Sequence, residues 1–263
     1  MELRGSSVLL TGATGGIGHA IARQLHAAGA SLLLTGRRAD VLEPLAAEIG
    51  ARATPVDLAD RAAVEQLMDE AGAVDILVAN AALPASGDVL DFSIEQIDRA
   101  LEVNLRAPIA LSRVLGERMV ERGSGHIVLI SSLSGKSGQA ASSIYSATKF
   151  GLRGFGQGLR GDLAPRGVGV SVVFPGFIRD AGMFHESGAS LPKGVGTSTP
   201  EQVAAGVLRA ITQNRGEVDV APMSMRAGTA FASIAPSTAA KVAKRLGSDT
   251  VAKQLAAGQA NKR

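Results

Sequence analysis

The sequence predicts an α/β fold, a doubly wound and mostly parallel sheet of seven strands with helices on both faces. Short β-type apolar runs alternate with helical patterns over the first two hundred residues, as consecutive βαβ units do. The first run leads into Thr11-Gly12-Ala13-Thr14-Gly15-Gly16-Ile17-Gly18, a glycine cluster set between a strand and a helix. Apolar residues make up 46% of the 263 with only 3% aromatics and 32 glycines, so the core is expected to be aliphatic and the turns tight.

Strands are expected at 7–11, 31–35, 52–56, 75–79, 126–130, 169–174 and 218–221. Helices are expected at 16–28, 39–49, 61–71, 94–122, 143–163 and 200–213. The length suits one large domain, there is no internal repeat, and connections stay short until residue 175. Residues 1–222 therefore read as one unit and 223–263 as a C-terminal extension.

Composition excludes several functions. The net charge of +3 comes from basic residues scattered up to about residue 240, which argues against a nucleic-acid groove. With no cysteine there is no disulfide, thiolate nucleophile or cysteine metal site, and no metal is expected. Met1 to Gly5 leads into an apolar run too short for a signal-peptide core, and no stretch approaches the roughly 20 apolar residues of a membrane span. A cytoplasmic protein is the expectation.

In its strand-to-helix position the glycine turn reads as a pyrophosphate cradle. Glycines let the backbone approach closely, and the helix start presents free N–H groups and a positive dipole end. The contacts expected are Gly12, Thr14, Gly16, Ile17 and Gly18. The second strand then ends in Thr35-Gly36-Arg37-Arg38, with no acid before Asp40 to bind ribose hydroxyls. Arg37 and Arg38 suit a ribose phosphate, so NADP(H) is expected in preference to NAD(H). Further on, Asp57 beside Leu58 either accepts from an adenine amino group or caps the next helix, as Asp60 also can. Asn80, Ala81 and Ala82 follow the fourth strand, small residues that admit a cofactor, although Asn80 alternatively serves only its own turn.

Three further stretches carry chemistry. Tyr145, the only tyrosine, stands four residues before Lys149 on a helix, so both lie on one face and an ammonium can act on a phenol. Ser131 and Ser132 end the fifth apolar run. Pro108 lacks an N–H, which frees the carbonyl of Asn104 to bind water.

Taken together, T-G-x-x-x-G-x-G at 11–18, N-A-x at 80–82, Asn104, Ser132, Y-x-x-x-K at 145–149 and Pro175-Gly176 resemble the classical short-chain dehydrogenase/reductase family over roughly residues 5–222. The resemblance implies a Rossmann-type fold and hydride transfer between nicotinamide C4 and a carbonyl or secondary alcohol. It implies Tyr145 as general acid/base, Ser132 as the donor that polarises the carbonyl, and Lys149 as the group that lowers the phenol pKa and binds the nicotinamide ribose. Asn104 would hold a water that relays protons through Lys149. Ser131 is set aside because it points to the other face of the strand end. Pro175, Gly176 and Ile178 are expected against the nicotinamide. A homodimer or homotetramer through 94–122 and 143–163 is implied by family analogy alone.

Two positions depart from the family pattern. Ala82 replaces the usual glycine of the turn, and Asp180 replaces the threonine that bonds the carboxamide. Asp180 either accepts from the carboxamide or pairs with Arg179, leaving the task to Ile178. The loop at 177–199, with Met183, Phe184 and Leu191, is expected as a lid over a hydrophobic carbonyl or alcohol substrate. His126 and His185 are expected to be structural and superficial. From Thr238 to Leu255 the pattern Val242, Leu246, Val251, Leu255 among Lys241, Lys244, Arg245 and Lys253 is amphipathic, interrupted by Gly247. Packing on its own domain ranks ahead of contact with an anionic membrane or a second subunit. The alternatives to an enzyme of this kind are a nucleotide-binding regulator with idle catalytic residues and an epimerase or dehydratase on the same fold.

Overall fold

The computed structural model describes every residue except Lys193, Leu246 and Arg263, and describes Lys262 in its backbone alone. Its strands are β1 (Ser7–Thr11), β2 (Ser31–Gly36), β3 (Arg52–Pro55), β4 (Ile76–Ala79), β5 (Gly125–Ile130), β6 (Val168–Pro175) and β7 (Glu217–Val220). They form one sheet in the order β3-β2-β1-β4-β5-β6-β7, and every neighbouring pair is parallel. The expected sheet is therefore present, with element ends moved by a residue or so, the usual fraying.

Strand alternation distributes the core. Val8, Leu10, Ile76, Val78, Val128 and Ile130 point to one face, against α1 (Gly16–Ala27), α2 (Ala39–Glu48) and α8 (Pro200–Thr212). Leu9, Leu77, Ile127 and Leu129 point to the other, against α3 (Arg61–Glu70), α5 (Ala107–Glu121) and α6 (Ser143–Leu163). Both faces are covered, which is why the central strands read as nearly unbroken apolar runs.

The strand order reverses between β1 and β4, and in such sheets the crevice outside the strands' carboxyl ends is where ligands bind. The turn at 11–18, Asn80, Ser132 and Pro175 all leave the sheet at that edge, from β1, β4, β5 and β6.

Two expectations are corrected. The helix foreseen at 94–122 is interrupted: α4 (Ile94–Leu101) passes through a π-turn at Glu102–Arg106 before α5 resumes, with the Ala107 N–H bonded five residues back to the Glu102 carbonyl. Pro108 explains the wider turn, since its ring presses on the carbonyl four residues earlier and supplies no N–H to it. The loop 177–199 is not wholly irregular. It holds α7 (Gly182–Glu186) and is pinned by a parallel bridge between Ile178 and Ser198.

The extension is three helices, α9 (Met223–Ile234), α10 (Pro236–Arg245) and α11 (Ser248–Gln259). Gly247 breaks α10 from α11 with φ of 89°, a left-handed conformation that glycine adopts freely. Of the apolar positions in the expected pattern, Val251 is buried, Leu255 is half-buried and Val242 is exposed, while Leu246 lies outside the described residues. The last helix folds back onto α7, so the extension does pack on its own domain.

Candidate active site

A cavity of about 940 Å³ opens along the carboxyl edge of the sheet. One end is lined by Gly12, Thr14, Gly16, Ile17, Gly18, Arg37, Arg38, Asp57, Leu58, Asn80 and Ala81. Ser132, Tyr145, Lys149, Pro175, Gly176 and Ile178 line the rest of the crevice. Every expected cavity residue apart from Asn104 is thus among its walls.

The glycines act first on the chain itself. A Cβ on Gly12 would lie 2.6 Å from the Ala81 Cα, and one on Gly18 only 2.2 Å from the Gly12 carbonyl oxygen. They let the turn fold tightly against the β4 loop. Gly15, the N-cap of α1, offers no side-chain cap, so the first N–H groups of the helix stay available beside the cavity. An uncapped N-terminus on a cavity wall, with two guanidiniums farther along, is a donor set suited to a dinucleotide's phosphates.

Arg37 and Arg38 are both exposed on that wall, and Arg38 donates to the Thr14 carbonyl at 2.7 Å. Just before them, at the end of β2, Gly36 packs against Thr14, whose Cγ2 would stand 2.7 Å from a Cβ at residue 36. A carboxylate side chain there would have to displace the Thr14 side chain. Asp57 lies on the wall with its oxygens already engaged: Oδ1 accepts from the Ala59 N–H and Oδ2 pairs with Arg99 at 2.7 Å. Asp60, not Asp57, caps α3.

Asn80 is a tie between two turns. Its Nδ2 donates to the Thr11 and Gly12 carbonyls, while the buried Thr11 hydroxyl accepts from the N–H groups of Asn80 and Ala81. Asn104, fully buried, does the same one turn farther on. Its Oδ1 accepts from the Leu83 N–H at 2.6 Å and its Nδ2 donates to the Leu83 carbonyl at 2.9 Å. This side-chain role was not foreseen; the sequence reading had considered only the carbonyl.

Ser132, Tyr145 and Lys149 meet in the cavity floor. Lys149 is 2% exposed and donates to the carbonyl of Ile130 at the end of β5, 3.0 Å away, with its ammonium 5.5 Å from the Tyr145 ring centre. Ser132 stands beside Tyr145 and favours the ionised phenol, and its hydroxyl accepts from the Ser134 N–H. Ser131 is turned away as expected, its hydroxyl donating to the Lys149 carbonyl.

Burial governs the charges here. It pushes the Tyr145 phenol up to about 12, against the opposing effect of Ser132, and it pushes Lys149 down to about 8. The Lys149 ammonium is engaged by the Ile130 carbonyl and is itself discouraged by desolvation, so burial sets the direction of the phenol's shift. Tyr145 therefore holds its proton at neutral pH, as a proton donor must.

Of the two roles open to Asp180, the structure shows the pair with Arg179. The φ of Asp180 is 71°, its side chain is largely exposed, and the pair stands at 3.4 Å, while buried Ile178 lines the cavity. Ala181 instead packs on the glycine turn, 2.3 Å from where a Gly16 Cβ would be. Of the three apolar loop residues singled out, Met183 and Phe184 line the cavity and Leu191 does not, and Phe177 packs on Phe184 with ring centres 4.9 Å apart. His126 is buried against Ser171 and His185 is exposed, both apart from the reaction site.

The last wall was not anticipated. Met225 and Thr229 of α9 and Ala252, Leu255, Gln259 and Asn261 of the C-terminal segment complete the cavity. The sequence signal was present in the amphipathic pattern of 238–255, which includes Val251 and Leu255, yet nothing in that pattern said which neighbour it would cover. Among the described residues no helix is long and apolar enough to cross a membrane.

The family model described as short chain dehydrogenase matches residues 6–191. The ketoacyl reductase HetN of a Nostoc species is 38% identical over 227 residues, covering 83% of this chain and 79% of that protein. The Bos taurus dehydrogenase/reductase SDR family member 7B is 34% identical over 241 residues, 83% of this chain and 74% of its own length. Among solved structures, a short-chain dehydrogenase from Sphingobium yanoikuyae in complex with NADPH superposes with a TM-score of 0.75 at 28% identity, covering 81% of this chain and 87% of that one.

Proposed function

The chain belongs to the short-chain dehydrogenase family, and from that premise we propose that it is an NADP(H)-dependent oxidoreductase acting on a hydrophobic carbonyl compound or its secondary alcohol. The observation that carries the reaction is the meeting of Ser132, Tyr145 and a buried Lys149 on one cavity wall, with Tyr145 kept protonated by burial. Residues 1–222, with the lid at 177–199, are the catalytic unit, and 223–263 are an appended segment.

In this reading the uncapped start of α1 and the turn Gly12–Gly18 take the pyrophosphate, Arg37 and Arg38 take the ribose phosphate, and Leu58 flanks the adenine. Pro175, Gly176 and the backbone of Ile178 border the nicotinamide, and Lys149 bonds its ribose. Bound NADPH supplies a hydride at nicotinamide C4 to the carbonyl carbon. Ser132 and Tyr145 hold the carbonyl oxygen, and the Tyr145 phenol gives it a proton, so ketone becomes secondary alcohol. Lys149 and a water held on the Asn104 carbonyl return a proton to Tyr145. The displacement of Thr14 that a carboxylate at position 36 would require supports the preference for NADP(H) over NAD(H).

Exposed Ile94, Leu101 and Phe150 on α4 and α6 support assembly as a homodimer or homotetramer through those helices. The functional test is NADPH oxidation with a panel of ketones and aldehydes, run beside NADH. Turnover at equal efficiency with NADH would overturn the cofactor preference, and binding of NADPH with no turnover on any carbonyl would favour a regulatory role.

A further inference from the structure

The edge strand β7 reads Glu217-Val218-Asp219-Val220, so its side chains alternate between the two faces of the sheet. Val218 and Val220 join the core shared with α1 and α8. Glu217 and Asp219 therefore face the other layer, where α6 lies and where two carboxylates need partners. Lys136 serves both. Its ammonium, on a side chain only 12% exposed, stands 2.6 Å from Asp219 Oδ1, 2.9 Å from Glu217 Oε2 and 4.0 Å from the centre of the Phe174 ring. Arg153 of α6 bonds Glu217 at 2.8 Å, and Arg226 of α9 lies 3.8 Å from Asp219. Against the burial that would raise it, Arg153 and Lys136 hold the Glu217 carboxyl below its usual range.

Lys136 is also the last residue of the turn that begins at Ser132. Ser132 opens a short helical turn at Leu133–Gly135, its hydroxyl accepting from the Ser134 N–H, and Lys136 closes it by donating its own N–H to the Leu133 carbonyl. The turn lies directly on α6, where a Cβ on Gly135 would stand 2.6 Å from the Lys149 carbonyl oxygen. Arg153, which shares Glu217 with Lys136, is one helical turn beyond Lys149. One carboxylate of β7 thus joins the turn that carries Ser132 to the helix that carries Tyr145 and Lys149.

We propose that Lys136 is a positioning residue for the reaction: fixed by Glu217 and Asp219, it holds the turn that carries Ser132 and so sets Ser132 against Tyr145 and the substrate carbonyl. This rests on the oxidoreductase reading and adds to it a residue beyond those that line the cavity. So short a turn takes its rigidity from what grips its ends. At one end that is β5, continued by the Ser131 N–H bonded to the Val173 carbonyl, and at the other it is the Lys136 ammonium. Inward-facing charges on an edge strand also guard against pairing with another chain, but that role does not involve the place of Ser132.

The chain has a single tyrosine and no tryptophan. In full-length protein carrying isotope-labelled tyrosine, the phenol signals in NMR spectra therefore report Tyr145 alone, with or without a substrate. They are recorded for the unaltered protein and for Ser132→Ala, Lys136→Met, Lys136→Arg and Gln157→Ala, beside kcat and KM across a ketone panel with NADPH. Lys136→Met should move the phenol signals in the direction of Ser132→Ala. It should lower kcat roughly ten- to a hundredfold, the effect of a misplaced polarising group, with KM and NADPH affinity near those of the unaltered protein. Lys136→Arg should restore both readouts, since a guanidinium can bond both carboxylates. Gln157→Ala, which removes only an exposed hydrogen bond to Glu217, should change neither.

A lowered urea midpoint with kcat and phenol signals unchanged would make the cluster a guard of the sheet edge and overturn the proposal. So would a fall in kcat without movement of the phenol signals, or a loss that Lys136→Arg does not restore. If Lys136→Met does not fold, Asp219→Asn, which loosens the same tie from β7, takes its place; if neither folds, the cluster belongs to folding and the proposal falls. Moved signals with no turnover by any of the proteins would uphold the positioning of Ser132 and defeat the oxidoreductase reading. Turnover that is unchanged in Lys136→Met would do the reverse.

Discussion

The floor and the roof of the cavity are made in different ways. In the floor, Lys149 bonds the backbone at the end of β5, Asn104 bonds the turn after β4, and Ser131 at the end of β5 bonds the backbone of α6, so the floor inherits its geometry from the sheet and its helix. The roof is assembled from a five-residue helix and the end of the chain, joined by Gln254, Gln259 and a glycine contact. Chemistry common to a family requires the first kind of construction, because a proton donor must be placed finely. Selection among substrates tolerates the second, and roof elements that rest on few contacts are the ones able to vary.

Substitutions should separate the two regions, starting with the largest effect. Tyr145→Phe removes the proton donor and should lower kcat by roughly a hundred- to ten-thousandfold. NADPH affinity, measured by titration, should stay where it was. Loss of turnover accompanied by loss of NADPH binding would mean that the floor is not an independent unit.

Asn104→Leu comes next and reads out on stability. It leaves the N–H and carbonyl of Leu83 buried without partners, at about 1–3 kcal/mol for each group. Urea denaturation should show the loss, whereas an unchanged midpoint would mean that water replaces the side chain. A smaller effect is expected of the Arg37→Ala, Arg38→Ala double variant, about tenfold weaker NADPH binding with NADH binding little altered. Equal weakening of both cofactors would remove the ribose phosphate from that wall.

The mildest effect is on pH dependence. Lys149 titrates near 8 in the folded chain and near 10.5 when unfolded, so between those values the unfolded chain binds more protons. Stability from this group is present above that window and is lost as pH falls toward about 8. Urea midpoints followed across the window should rise with pH in the native chain, and the slope should be absent from Lys149→Met. A slope that persists in that variant would come from some other group.

How much of each region was legible in the sequence follows from the same contrast. Sheet, helices and floor announce themselves locally: β5 ends at Ser131 and Ser132, and Tyr145 and Lys149 are one helical turn apart, so chain order nearly determines their meeting. The π-turn at 102–106 was hidden, since Pro108 marks a disturbance without saying how the backbone absorbs it. Asn104 bonding Leu83 is a contact 21 residues distant in the chain. The phenol's raised pKa was equally hidden, because spacing places Lys149 near Tyr145 but says nothing of the burial around both. For the roof, the amphipathic pattern of 238–255 reveals helices with one apolar face, while the partner of α11, α7, lies more than sixty residues earlier.

The central claim is that the floor transfers hydride and proton between NADPH and a carbonyl. It is tested most directly by following reduced-nicotinamide absorbance while the full-length protein meets a panel of apolar ketones, with Tyr145→Phe as the paired control. The expected result is ketone-dependent loss of absorbance that requires Tyr145. Turnover by Tyr145→Phe at the rate of the unaltered protein would contradict it.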